Sequence, residues 1–183
     1  DRVRSYLKIQ DGCNYPCSYC TIPKARGLSR SDTIDNIIHN IEILKNNNIS
    51  EVVLTGVNIG DYKDNNGYQL MDLLKYIDTQ NNINRFRISS IEPNLLTEEI
   101  IFLIKKSNSF LPHFHIPLQS GSNKILSLMK RKYNTNLYKN KIKMIKKNIP
   151  DACIGADVIV GFPNESTDDF LDTVRFINDL DIN

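Results

Sequence analysis

The chain has 183 residues, 40% of them hydrophobic, which suffices for one domain with a packed core. Its formal charge of +2 permits a nucleic-acid partner without arguing for one. No apolar run approaches the ~20 residues of a membrane span, and four cysteines that are not paired along the chain argue against a disulfide framework and for a reducing, cytoplasmic setting.

Apolar, β-branched runs predict strands over residues 3–9, 51–55, 85–89, 113–116 and 154–160. Helical patterns fall between them, over 33–46, 69–79, 97–107, 123–130, 137–148 and 167–180. The first helix shows its period in Ile34, Ile37, Ile38, Ile41 and Leu44, with Ser31 or Asp32 as its cap. Thr97, followed by Glu98 and Glu99, starts another, and Ser122 another. Residues 61–68 read as an exposed loop and 81–84 as a turn. Strand–helix repetition implies a parallel sheet with right-handed crossovers. An α/β fold of the incomplete (β/α) barrel type, a partial TIM barrel, is expected over a flat doubly wound sheet, because polar and glycine signals follow every strand, where such barrels carry their sites. The chain opens just before a strand without an initiator methionine and ends in a helix-like segment, so it reads as a domain cut from a longer protein.

The first strand leads into Cys13, Cys17 and Cys20, spaced C-x3-C-x2-C among Gly12, Pro16 and Pro23. Structural zinc asks for four ligands in two close pairs, and no Cys or His follows Cys20 until His39. Three thiolates without a fourth suit a cubane [4Fe–4S] cluster with one iron free of protein ligands, where a substrate can bind. Cys153, in an apolar run, reads as a small buried side chain.

Each later strand end can be read for what it offers a ligand. Arg26 could hold an anion near the cluster or be a surface arginine. Gly56 and Asn58 lie in a loop whose backbone could grip an amino group. Ser90 and Glu92 could bond ribose hydroxyls, or be a cap and a solvated acid. His115, within its strand, reads as a satisfied core histidine, and Gln119 follows it. Arg131 could pair with a substrate carboxylate. Gly161 and Phe162 could offer backbone groups and an apolar wall to an adenine. Asp157 needs a partner or a pocket. Lys130, Lys132 and the basic run 139–147 read as a solvated face, with RNA phosphate contact as the alternative.

Together these segments resemble the radical S-adenosylmethionine (SAM) methylthiotransferases. The resemblance runs from Arg4 to about Leu180. It rests on residues 9–13 (Ile-Gln-Asp-Gly-Cys), 17–23, 25–27, 54–62, 89–93, 116–122, 129–131 and 157–165, all in order. It implies a radical SAM core with Cys13, Cys17 and Cys20 as cluster ligands. It also implies SAM cleavage to a 5′-deoxyadenosyl radical, hydrogen removal from C2 of an adenine, sulfur insertion, and methylation by a second SAM. The lead-in and the Leu-Thr-Gly-Val-Asn-Ile-Gly-Asp-Tyr run look most like the branch acting on threonylcarbamoyladenosine beside a tRNA anticodon. The alternatives are the isopentenyladenosine branch and the branch modifying a ribosomal-protein aspartate; outside the family stands a non-catalytic zinc-bearing RNA-binding module. The family further implies an electron donor of flavodoxin or ferredoxin type, an N-terminal domain with a second [4Fe–4S] cluster and a C-terminal RNA-binding β-domain, neither seen in these 183 residues.

Overall fold

The structure, a computed structural model, describes residues 4–80 and 83–182. In chain order it contains β1 (Arg4–Lys8), β2 (Gln10–Asp11), α1 (Ile22–Arg26), β3 (Arg30–Ser31), α2 (Ile34–Asn46), β4 (Glu51–Thr55), a 3-10 turn (Ile59–Asp61), α3 (Leu70–Gln80), β5 (Arg85–Ile88), α4 (Glu98–Lys106), β6 (His113–His115), α5 (Asn123–Leu128), α6 (Thr135–Asn148), β7 (Cys153–Gly155) and α7 (Thr167–Asn178). Val3 and the predicted turn residues Asn81 and Asn82 lie outside the described residues.

Strands β1, β4 and β5 pair in parallel, with Tyr6 opposite Val53 and Val53 opposite Arg87. Strands β6 and β7 form a second parallel pair. Hydrogen bonds join the two. Phe86 donates to the Ser109 carbonyl at 2.8 Å, Leu111 to that of Phe86 at 2.9 Å, and Ile91 to that of His115 at 3.0 Å. The order β1-β4-β5-β6-β7 therefore follows the chain. A doubly wound sheet would instead reverse its order at a switch point. Winding in one direction places the crossover helices on one face; α3 packs on α4, and α4 on α6. Among the described residues the sheet does not close on itself. It is the open, partial barrel that the sequence predicts.

Burial on both faces explains the continuous apolar run of β4, whose Val52, Val53 and Leu54 are all buried. Against the strands α2 lays Ile34, Ile37 and Ile41, α3 lays Leu70, Leu73, Leu74 and Ile77, and α4 lays Ile100, Ile101 and Ile104. Truncating one such side chain, Leu54 for example, is expected to cost about 2–5 kcal/mol. At the N-terminal strand ends the buried Glu51 carboxylate accepts from Arg4, Arg85 and Arg87 at 2.5–3.1 Å, bracing three strands opposite the site. Burial works against its charge, but Arg87 and Arg4 outweigh burial and hold the carboxyl below its usual range.

Several expectations are corrected. Thr33, not Ser31 or Asp32, caps α2: it alone sits extended just before the first helical residue and accepts from the Asn36 amide. Asp32 accepts instead from the Thr33 amide and the Asn36 side chain. Helix α6 begins at Thr135, capped by Asn134. Within the predicted exposed loop, Tyr62 and Asp64 are buried: Tyr62 donates to the Asp32 carbonyl at 2.7 Å, and Asp64 Oδ1 accepts the amides of Asn66 and Tyr68. The fifth strand ends at Gly155. Beyond it Val158 makes only an isolated bridge to Gln119, and Val158 and Val160 face outward. Cys153 is exposed, because Ile154 takes the inward face of a three-residue strand.

Candidate active site

The C-terminal ends of the strands share one face, and the cysteine loop covers it. The loop is closed at its base by the antiparallel pair β2–β3, with Gln10 opposite Ser31 and Asp11 opposite Arg30. Neither β2, β3 nor α1 was legible as an element, being two, two and five residues long. Gly12 is required here: it sits at φ +69°, and a Cβ would lie 2.1 Å from the Leu28 carbonyl oxygen. Asp11 accepts from the Gly12 amide at 2.9 Å and from Lys8, Arg26 and Arg30 at 2.8–3.3 Å. The Gly12 amide, then Arg26 and Lys8, hold its carboxyl down at about 2. The anion beside Arg26 is thus Asp11, an internal partner.

Gln10, buried on the same lead-in, was not singled out in the sequence. Its Nε2 donates to the carbonyls of Gly12 and Asp11 and to the Ser29 hydroxyl, and its Oε1 accepts the Asn58 amide at 2.9 Å. A Cβ on Gly56 would lie 2.9 Å from that same Oε1. Gly56 and Asn58 are therefore tied to the cysteine loop through one glutamine. Asn58 is buried, and both its side-chain amide atoms lack hydrogen-bond partners, although it lies near enough to Cys13 to favour the thiolate. Buried amides are rarely left so.

All three loop cysteines are free thiols and partly exposed. The Tyr15 amide donates to Cys13 Sγ at 3.4 Å, and Arg131 Nη1 donates to Cys17 Sγ at 3.3 Å. Burial pushes the Cys13 thiol up, and charge on Cys17 and Cys20 adds to it, so the three sulfurs lie within electrostatic reach of one another. Among the described residues no three Cys, His, Asp or Glu side chains converge as ligands of a single ion. A four-iron cubane takes each thiolate on a different iron and does not require that convergence. Soft donors, N–H groups aimed at the Cys13 and Cys17 sulfurs and a buried amide, Asn58, beside Cys13 fit a cluster with a ligand on it.

The loop is fastened to the far side of the barrel. Ser18 donates from its amide to the Met129 carbonyl and from its hydroxyl to that of Leu128, at the end of α5. Two residues on, Arg131 pairs with Glu92 through Nη2, donates to the Tyr19 hydroxyl through Nη1, and donates through Nε to Tyr133 at 3.2 Å. Its side chain is 4% exposed. Arg131, expected to face a substrate carboxylate, has Glu92 as its carboxylate partner in this structure. Burial raises the Tyr19 phenol to about 12, with Arg131 working against the rise.

Of the other predicted residues, Ser90 hydrogen-bonds His115 Nδ1, and His115 Nε2 lies 3.2 Å from Asp157. His115 therefore bridges three strand ends and is not a core histidine. Gln119 adopts φ +65°; its amide donates to the Asp157 carbonyl and its carbonyl accepts from Ile159. Gly161 sits at φ +76° in open space, its amide 2.5 Å from Glu165 Oε2. Phe162 meets Tyr19 edge-on at 6.4 Å, and both line a cavity of about 460 Å³ with Ser18, Leu128 and Ile159. Gly161 lines it too, and its walls are mainly apolar.

Residues 7–177 match the sequence pattern of the radical SAM superfamily. The chain belongs to that superfamily. This radical SAM chain is 41% identical over 181 residues to the threonylcarbamoyladenosine tRNA methylthiotransferase MtaB of Bacillus subtilis (strain 168), covering 98% of the chain and 40% of that protein. It is 39% identical over 181 residues to the tRNA-2-methylthio-N(6)-dimethylallyladenosine synthase of Thermodesulfovibrio yellowstonii, covering 98% of the chain and 42% of that protein. The chain thus spans about two fifths of the length of the curated relatives it matches. Among solved structures it resembles the radical SAM methyltransferase TsrM from Kitasatospora setae, with a TM-score of 0.82 at 16% identity over 98% of this chain and 34% of that one. At that identity the likeness speaks for the fold. Among the described residues no helix is long and apolar enough to cross a membrane.

Proposed function

We propose that this radical SAM chain carries the radical-generating part of a tRNA methylthiotransferase, acting at C2 of N6-threonylcarbamoyladenosine beside the anticodon. The observation that carries the reading is the three-cysteine loop seated over the C-terminal strand ends of a partial barrel, in a chain 41% identical to an MtaB enzyme along nearly its whole length. In this reading Cys13, Cys17 and Cys20 hold a [4Fe–4S] cluster, and Gly56, Asn58, Ser90, Glu92, Gln119, Gly161 and Phe162 surround SAM. When bound, the cluster supplies the electron that cleaves SAM reductively to a carbon radical.

The chain's own residues hold, orient and shield. Gln10 fixes the loop carrying Cys13 to the loop carrying Gly56 and Asn58, so cluster and cofactor contacts share one frame. The unpaired Asn58 amide is available to a polar group of the cofactor. Arg131 donates to Cys17, a contact that stabilises thiolate charge, and holds Glu92 in place. Tyr19 and Phe162 wall off one side of the mouth and restrict water. Residues 1–183 act as a radical SAM core domain in a reducing cytoplasm, with electrons from a flavodoxin- or ferredoxin-type carrier. Sulfur insertion draws on a second cluster outside these residues.

A second reading, the dimethylallyladenosine branch, is favoured by the 39% identity to such a synthase. Two percentage points do not separate the branches. Profiling of modified nucleosides in a deletion strain does. Loss of the methylthio mark from threonylcarbamoyladenosine alone supports the first reading; loss from dimethylallyladenosine alone replaces it with the second.

A further inference from the structure

Positive charge is segregated along the chain. Between Ile100 and Pro150 lie eleven of the 23 lysines and arginines and none of the 21 acidic residues. The net charge of +2 conceals a block of +11 against a remainder of −9. In the fold that block covers most of α4, β6, α5 and α6, which form one flank of the partial barrel. Among the described residues, ion pairs engage Lys124, Arg131, Lys139 and Lys146, whereas Lys132, Lys141, Lys143 and Lys147 face no carboxylate within 4 Å.

The charge borders a groove. Residues from Arg131 to Asn134 and one side of α6 border an open groove of about 700 Å³, where Lys132, Asn134, Asn136, Asn140 and Lys141 stand beside the apolar Leu137 and Met144. Ammonium groups alternating with amides suit an anion that also carries hydroxyl and carbonyl acceptors. Arg131 lines this groove too, while its guanidinium reaches Cys17. An anion seated here is one side chain away from the cysteine loop.

We propose that the turn before α6 and the first turns of that helix dock the phosphate backbone of the RNA whose base enters the barrel mouth. This rests on the tRNA-modifying reading above and adds where the RNA is held. RNA is favoured over an acidic protein because the amides Asn134, Asn136 and Asn140 stand among the lysines. It is also favoured because the groove shares Arg131 with the cysteine loop, whose Cys17 that guanidinium reaches. Each phosphate neutralised by a lysine releases counterions, so the logarithm of affinity falls linearly with log salt, by about 0.7–0.9 in slope per contact.

The test uses the reconstituted protein and tRNA isolated from the deletion strain, which lacks the methylthio group. Affinity is measured against salt for the unsubstituted protein, for Lys132→Gln/Lys141→Gln, and for a charge-matched control on the α2 side of the barrel, Lys45→Gln/Lys63→Gln. The proposal expects the first variant to lose about tenfold in affinity at 0.15 M salt and its slope to fall by about 1.5, with the control unchanged. Iron content and the response of the spectrum to SAM should stay as in the unsubstituted protein. Equal loss in both variants would indicate a diffuse field and overturn the docking surface. So would unchanged tRNA affinity accompanied by slower cluster reduction by flavodoxin, which would assign the face to an acidic protein. If the unsubstituted protein binds no tRNA while still responding to SAM, the tRNA reading falls and this proposal falls with it. If it binds and the first variant binds equally well, only this proposal falls.

Discussion

Arg131 reaches across the barrel mouth to Cys17, donating from Nη1 to the sulfur at 3.3 Å although 114 residues separate them in sequence. Its other terminal nitrogen pairs with Glu92. One guanidinium thus joins the cysteine loop to the ends of β5 and α5, and the order of the site depends on it.

Removing that guanidinium leaves Glu92, 15% exposed, without its counter-charge. Arg131→Met is expected to lower stability by about 3 kcal/mol. Adding Glu92→Gln should recover much of it, since the orphaned charge is then gone. Neither change restores the N–H on the Cys17 sulfur, so both proteins should show an altered cluster spectrum and potential after reconstitution. Thermal melts paired with redox titration separate the two effects. A double variant with both stability and spectrum restored would contradict this account.

Two glycines of the loop should respond differently to alanine. At Gly12 the new Cβ would lie 2.1 Å from a backbone oxygen, so the β2–β3 closure must open. Gly12→Ala should cost roughly 3 kcal/mol and reduce bound iron severely, with the helical circular dichroism retained. Gly27 has φ +78° but nothing within 4 Å of a Cβ. Gly27→Ala should cost only about 1–2 kcal/mol of backbone strain and keep most of the iron. Iron and sulfide counts on the two variants check this.

Asp11 sets a pH dependence. Its folded carboxyl lies at about 2, below the 3.8 of an ordinary aspartate, first through the Gly12 amide and then through Arg26 and Lys8. Because the folded value is the lower one, its contribution to stability is complete above about pH 4 and is lost as pH falls towards 2. Asp11→Asn should therefore be less stable than the unsubstituted protein at neutral pH, and the gap should close between about pH 4 and pH 2. Denaturant melts at several pH values measure it. A gap unchanged at pH 2 would show that the aspartate acts through shape and not charge.

Local patterns made most of the frame legible. The apolar run of β4 matches the predicted strand residue for residue, and Thr97 and Ser122 cap the helices their positions foretell. Where burial is one-sided, the same run misleads. Residues 156–160 look like strand, but Val158 and Val160 face outward, and no ladder continues there. Cys153 misleads in the same way. In the site, the cysteine spacing is a local signal and could be read. Gln10 belongs to the same lead-in, but two of its four partners, Ser29 and Asn58, are 19 and 48 residues away. Tyr19 and Tyr133 escaped notice for the same reason. Their roles exist only once Arg131 is folded between them.

The central claim is that Cys13, Cys17 and Cys20 hold a four-iron cluster with one iron open to SAM. The direct measurement is anaerobic reconstitution, followed by iron and sulfide analysis and electron paramagnetic resonance of the reduced protein with and without SAM. The account predicts about four irons per chain at these three cysteines and a spectrum that shifts when SAM is added. The signal should vanish in a protein with all three changed to alanine. Stoichiometric zinc, or an iron signal indifferent to SAM, would contradict it.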